Sequence, residues 1–231
     1  MKILITGGGT SEPIDSVRYI TNFSTGKTSS FLADFFAERK NTVTALMAEN
    51  AVKPLDENIK IITFKTFCDL KNSLESECKK NDFDAIIHAA AVSDFSVGSV
   101  EIGAKVFLPG ELSKISSEEN IVLRLEKNPK ILCKIKNWSG GKAKLIAFKL
   151  TSGANEEEKI LAVKKLFESE KDFTALPDFV VQNDKSEITE SRHSCAIYAK
   201  SEQNNCFALC ERTETLEEFA ESLEKLLKKG F

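Results

Sequence analysis

Met1-Lys2-Ile3-Leu4-Ile5-Thr6-Gly7-Gly8-Gly9-Thr10 opens the chain with a short apolar run that ends in three glycines. Such a run reads as a buried strand closing in a tight turn. Further on, Ser24-Thr25-Gly26-Lys27 leads into Phe31, Leu32, Phe35 and Phe36. That spacing predicts a helix over about 25–40, with Ser24 or Thr25 as its N-cap. A strand, a glycine turn and a helix start offer a phosphate two holds: backbone amides, and the partial positive charge of the helix N-terminus.

Two standard phosphate motifs come close without fitting. The dinucleotide pattern G-x-G-x-x-G needs a glycine where Glu12 stands, and the P-loop pattern meets Gly26-Lys27-Thr28 but has Thr21 in place of its first glycine. An ordinary strand–turn–helix opening would also account for three glycines. The polar insert between the glycines and the helix favours a binding loop, because long structureless loops in compact domains are usually functional.

Outward from this stretch, strands and helices alternate. Thr42–Met47, Lys60–Phe64, Asp84–Ala91, Lys144–Lys149 and Asp178–Asn183 read as strands. Helices fall near 66–80, from Pro129 at N1 to about Trp138, over Glu156–Glu170, and at 214–229. The fourth strand is almost continuously apolar, as a strand covered on both faces would be. The alternation predicts an α/β fold: a Rossmann-like, doubly wound, mostly parallel sheet within one domain spanning 1–231.

Ligands bind such sheets beyond the carboxyl ends of the strands. That edge gathers Gly7–Thr10, Ala90–Asp94, Lys149–Ser152 and Asn183-Asp184. Segments near 95–127 and 185–212 break the alternation. The second carries a hairpin signature around Ser194–Ala199 and Asn205–Glu211. Both read as an antiparallel dimerisation lobe beside the main sheet.

The composition narrows the function. Hydrophobic residues make up 42% and charged residues 29% of 231, with a net charge of −3, so there is no electrostatic footprint for nucleic acid. No apolar run approaches a membrane span and no signal peptide precedes the first strand, which predicts a cytoplasmic protein. Cys68, Cys78, Cys133, Cys195, Cys206 and Cys210 form no C-x-x-C pair, and His88 and His193 lack ligand spacing. Reduced structural thiols are expected, not zinc. His88, closing an apolar strand, reads as a buried imidazole.

Arg18 and Asn22, four apart in the polar insert, suit a carboxylate or phosphate. Lys114 lies in a polar segment that could fold over a ligand. Asp94, just past a strand, is placed for ribose hydroxyls or a metal-bound phosphate. The plain alternatives are solvated side chains for Arg18 and Lys114 and a turn cap for Asp94. From these residues alone, the chain is a nucleotide-binding α/β protein.

Longer patterns add a resemblance. Gly8–Lys27 is similar to G-x-T-x-E-x-I-D-x-V-R-x-I-x-N-x-S-[ST]-G, and Ala89–Phe95 to A-A-V-[AS]-D-[YF]. Lys114-Ile115 is similar to K-I-x-[SK], Lys127–Ile131 to K-[NT]-P-x-I, and Ala147–Leu150 to G-F-K-x, with Asn183-Asp184 beyond. Running in order to about residue 185, these matches resemble the phosphopantothenate–cysteine ligases of coenzyme A biosynthesis. The chain looks like the stand-alone bacterial type, without the flavoprotein decarboxylase fused in front of many members. A separate flavin-dependent decarboxylase would then act next.

The resemblance implies a homodimer that uses CTP, or ATP, with Mg²⁺ held mainly through the nucleotide phosphates. An acyl-cytidylate would form and react with cysteine, releasing CMP and pyrophosphate. By the same resemblance, Lys114 would be catalytic, on a flap including Ile115–Asn120, and Asn22 would hold the activated acyl group. Arg18 would position the pantothenate across the dimer interface, and Ala91 would touch it through its backbone. Gly7, Gly8, Gly9, Ser24, Gly26 and Lys27 would cradle phosphates. Asp94 would bind ribose, and Ile146, Ala147 and Phe148 would line the base site. Two positions depart from the family pattern: Thr151-Ser152 stands where many members have Glu-Thr, and Ser29 replaces a glycine. The rival is an NAD(P)-binding short-chain reductase or epimerase, which would want Y-x-x-x-K; Tyr19 has Phe23 at that offset and Tyr198 has Glu202. A nucleotide-sensing module without catalysis is a third reading.

Overall fold

β1 (Lys2–Gly7) pairs in parallel on both sides, with β4 (Thr42–Ala48) and with β6 (Ala85–His88). Beyond β4 lies β5 (Lys60–Phe64), and beyond β6 lie β10 (Lys144–Thr151) and β11 (Phe179–Asp184), all parallel. Numbered among themselves, these six strands run 3-2-1-4-5-6 across the sheet, the Rossmann order, with its switch point between β1 and β6. The computed structural model describes every residue except 112, 117–119, 169–174, 190, 202–206 and 230–231.

Ile3, Leu4 and Ile5 are all fully buried although successive strand side chains point to opposite faces, so the sheet is covered on both. The cover comes from α1 (Lys27–Glu38), α2 (Phe67–Lys80), α3 (Leu132–Trp138), α4 (Glu156–Phe167) and α5 (Leu216–Lys228). Leu32 and Phe36, Leu70 and Leu74, Ile135, and Phe219 and Leu223 join the β1 residues in one core. No described helix is long and apolar enough to cross a membrane. Cys78 and Cys195 are buried, and burial pushes their thiols up to about 12. Cys206 lies outside the described residues.

Four expectations need correction. The helix after the opening loop begins at Lys27, and its N-cap is Gly26 at φ 73°, not Ser24 or Thr25. The left-handed turn there is one that glycine adopts without steric cost. The helix assigned to start at Pro129 starts at Leu132, with Ile131 as its N-cap; upstream, the Asn128 amide donates to the Asp94 carbonyl (2.8 Å), extending the pairing of Phe95–Ile102 with Ile121–Lys127 past Lys127. The 185–212 segment does not belong to a lobe beside the main sheet. It contributes β12 (Cys195–Lys200), antiparallel to β11, and β13 (Phe207–Thr213) at the outer edge. The chain turns back after β11 and satisfies that strand's open edge.

The fourth concerns the opening loop, which carries its own ladder of β2 (Ser11–Pro13) and β3 (Tyr19–Thr21) and is more than a polar insert. The 95–127 segment does stand apart from the main sheet. It forms three antiparallel strands, β7 (Phe95–Ile102), β8 (Lys105–Phe107) and β9 (Ile121–Lys127), in the order β8-β7-β9.

Candidate active site

A cleft of about 1370 Å³ opens beyond the carboxyl ends of β6 and β10, beside the switch point. Its walls include Asn22–Ser29, His88–Asp94, Pro129–Cys133 and Ala147–Leu150.

The opening loop reaches this cleft because later segments hold it. The Thr10 amide donates to the Ala91 carbonyl (3.1 Å), the Ala91 amide to the Gly8 carbonyl (2.8 Å), and the Ser93 amide to Thr10 Oγ1 (3.0 Å). Glu12 is buried, its carboxylate accepting from the Phe67 amide at the start of α2 (2.8 Å) and from Ser96 Oγ (3.1 Å). Asn22 donates its side-chain N–H to the Val92 carbonyl (3.1 Å), which fixes it on the cleft wall.

Next to Asn22, α1 presents its N-terminus to the cleft through Gly26, Lys27, Thr28 and Ser29. Helices α2, α4 and α5 each begin with a capping box, Thr66 with Asp69, Asn155 with Glu158 and Thr215 with Glu218. At α1 the N-cap Gly26 brings no side-chain cap, no acidic residue lies in the first turn, and only the Lys27 amide is met by a side chain, Thr25 Oγ1 at 3.4 Å. Its start is therefore open to a negatively charged ligand.

The expected site residues divide into groups. Asn22, Ser24, Gly26, Lys27, Ala91, Asp94, Ala147 and Phe148 share the cleft wall. Ile146 does not: it is buried in the core, one residue out of phase with Ala147. Gly7, Gly8 and Gly9 also lie off the wall and serve close packing. A methyl on Gly7 would strike Ser29, and one on Gly8, at φ 84°, would strike Ala48 and Ala51. Ser29, standing where the family has glycine, donates its hydroxyl to the Thr6 carbonyl (3.0 Å).

Arg18 and Lys114 meet elsewhere, at the root of the small sheet. Arg18 pairs with Asp15 (2.8 Å) and donates to the Ile115 carbonyl (3.1 Å), while Lys114 is exposed. Of the expected flap, residues 117–119 lie outside the described residues.

Electrostatics sharpen several roles. His88 lies 2.9 Å from Thr6 Oγ1, and burial pushes its pKa down to about 4, so it is neutral near pH 7. Asp94 pairs with Lys130, and both line the cleft. Asn183 is on the wall, but Asp184 is buried behind it, accepting from Thr151 Oγ1 (2.6 Å), the Gly153 amide (2.8 Å) and Ser186 Oγ (2.6 Å). Burial alone would raise its pKa; hydrogen bonds from Ser186, Thr151 and Ala154 outweigh that and hold it far below the carboxylate range. Thr151, at the departure from the family pattern, thus packs onto this buried carboxylate.

The far wall was not foreseen. It uses Ile188–Thr189, Ser191–His193 and Thr215–Glu217. His193 has a buried Nε2 without a hydrogen-bond partner. Only the polar run before β12 signalled this wall. Neither Tyr19 nor Tyr198 lines the cleft, which leaves the reductase reading without its tyrosine.

The described residues offer no cluster of three His, Cys, Asp or Glu side chains for a metal. Among the described residues, Asp94 and Glu217 are the acidic side chains on the wall. That set suits Mg²⁺ arriving with nucleotide phosphates, which needs only one or two protein carboxylates.

Comparison with known proteins bears on the family and the fold. The curated coenzyme A biosynthesis bifunctional protein CoaBC of Thermococcus kodakarensis is 32% identical over 226 residues, 98% of this chain and 51% of that protein. The chain thus spans about half or less of the curated relatives it matches. The crystal structure of the DNA/pantothenate metabolism flavoprotein from Streptococcus pneumoniae superposes at a TM-score of 0.82, with 28% identity and full coverage of both chains. A Cab2 variant solved in complex with phosphopantothenate-cysteine shares the fold, at a TM-score of 0.72 and 20% identity over 99% of this chain and 86% of that one. Across residues 1–227 the sequence matches the model of the DNA/pantothenate metabolism flavoprotein C-terminal domain, and the chain belongs to that family.

Proposed function

We propose that this chain is a cytoplasmic phosphopantothenate–cysteine ligase that joins 4′-phosphopantothenate to L-cysteine with CTP. The observation that carries the reading is the pairing, on one wall of the switch-point cleft, of the α1 start, which has a glycine N-cap and no capping box, with Asn22. One suits a polyphosphate, and the other suits the acyl group activated beside it. The Cab2 variant's complex with phosphopantothenate-cysteine, on the same fold, supports the substrate choice.

The phosphopantothenate carboxylate attacks the α-phosphorus of CTP, forming the acyl-cytidylate and expelling pyrophosphate. The cysteine amine then adds to the acyl carbon, and the tetrahedral adduct collapses with loss of CMP and a proton. Negative charge develops at phosphorus and then at the former carbonyl oxygen, so preorganised donors carry the catalysis. The α1 amides and Lys27 meet the phosphates, and Lys114 adds a cation to the developing charge. Asn22, its amide nitrogen already anchored, orients the acyl group. Ala91 touches the pantothenate through its backbone, Asp94 faces the ribose, and Ala147 and Phe148 border the base. Mg²⁺ supplies charge neutralisation at the phosphates.

Val106, Leu108, Val122 and Leu125 expose large apolar side chains on or beside the small sheet, which supports a homodimer formed there. Arg18, at the same sheet, would then serve the pantothenate across the interface. A flavin-dependent decarboxylase would consume the product.

The test is incubation with phosphopantothenate, cysteine, Mg²⁺ and CTP or ATP. Pyrophosphate and the ligated product are expected, faster with CTP. Absence of both with either nucleotide overturns the reading, and hydride transfer with NADPH would favour the reductase instead.

A further inference from the structure

Asp15 is fully buried and accepts hydrogen bonds from two parts of the chain. Oδ1 takes the Val17 (2.9 Å) and Arg18 (2.7 Å) amides, closing its own turn. Oδ2 takes the Arg18 guanidinium (2.8 Å) and, across a hundred residues of sequence, the Ile115 amide (3.1 Å). Arg18 completes the ring by donating to the Ile115 carbonyl (3.1 Å). Both backbone polar groups of Ile115 are thus held by one carboxylate–guanidinium pair. The Ile115 side chain is buried with Val97 and Val100, against Ile14 and Ile20 from the opening loop. Lys114 is the next residue back, exposed and outside this plug.

We infer that Asp15 is a positioning residue: with Arg18 it clasps Ile115 and thereby sets where Lys114 stands relative to the cleft. The inference rests on the proposed role of Lys114 in the ligase reaction. An aspartate suits the task because an ionised carboxylate only accepts, with enough lone pairs for four donors. Asparagine at this position would turn N–H groups toward the Ile115 amide or the guanidinium. A lysine tethered at its own root delivers its charge with less freedom to lose on binding, and small misplacements of such groups are costly.

Two measurements test the clasp, one of which needs no substrate. In the native protein the Ile115 amide should exchange with solvent as slowly as the β7 amides of Val97 and Val100; exchange at the rate of an open loop overturns the proposal. In Asp15→Asn the Ile115 amide should exchange at least about tenfold faster while those β7 amides stay protected. Unchanged Ile115 exchange also overturns it. The second measurement is a double-mutant cycle with Lys114→Ala on the ligation rate. Asp15→Asn should lower kcat about tenfold or more in the native background and less than about twofold in Lys114→Ala, since its effect passes through that side chain. An equal loss in both backgrounds overturns the positioning role, because a merely structural residue would give it. A native protein without ligase activity would defeat the functional reading, while the exchange measurements would still decide the clasp.

Discussion

Gly9 lies against the backbone of Asn22 so closely that a methyl group on it would overlap the Asn22 carbonyl oxygen. The glycine run thus supports the Asn22 side of the cleft from beneath. Gly9→Ala is expected to push Asn22 off its bond to Val92 and cut the ligation rate about tenfold to a hundredfold. The loss should appear mainly in kcat, with the sheet intact by circular dichroism. A variant with native kcat would show that the contact relaxes elsewhere.

Asn22 itself should matter most after activation. Asn22→Asp introduces a carboxylate beside a mixed anhydride, and is expected to slow attack by cysteine so that acyl-cytidylate accumulates. Rapid quench with labelled CTP would reveal it. Normal turnover without an intermediate would remove Asn22 from the mechanism.

His88 gives the fold a pH signature. Burial depresses its pKa from 6.5 to about 4, so the folded form favours the neutral ring. Stability from this source is complete above pH 6.5 and is lost as pH falls toward 4, with a full span of about 3 kcal/mol. Burial shifts His193 in the same direction. His88→Gln should flatten the dependence of Tm on pH between 6.5 and 4, and an unchanged slope would assign it to other groups.

The small sheet supplies a test of association. Val122→Glu places a charge in the exposed apolar patch. Sedimentation should show a dimer in the native protein and a monomer in the variant, with circular dichroism unchanged. A native monomer would remove the homodimer from the proposal.

Much of this architecture was legible in the sequence for a physical reason. Runs such as Ala85–His88 and Leu145–Phe148 must be apolar on both faces to sit between helix layers, so a doubly wound parallel sheet followed from their alternation with helices. The start of α1 was not legible, because Ser24 and Thr25 are good caps and nothing local reveals that Gly26 takes the left-handed turn. Ile146 was misjudged for a related reason. The motif containing it is read as a block, whereas a strand sends alternate side chains to opposite faces and only some reach the cleft. Gly7–Gly9 carry the glycines a phosphate loop would need. Whether such glycines admit a ligand or a neighbouring side chain depends on Ser29, Ala48, Ala51 and Asn22, which only the folded chain brings close. The tie from Asp15 to Ile115 spans too much sequence for any local pattern to announce.

That span has a consequence for how the protein is made. The opening loop is synthesised before the segments that hold it, yet its polar side chains are satisfied by Phe67, Ser93, Ser96 and Ile115. Until residue 115 has been synthesised, Asp15 has only its own turn for partners and lacks Ile115, so the loop is not yet fixed in its final shape. Chains stalled before residue 115 should therefore carry a nascent sheet without a formed cleft, and the opening loop should remain open to protease and chaperone. The ability to bind nucleotide would then mark the end of folding, well after β1 has found β4.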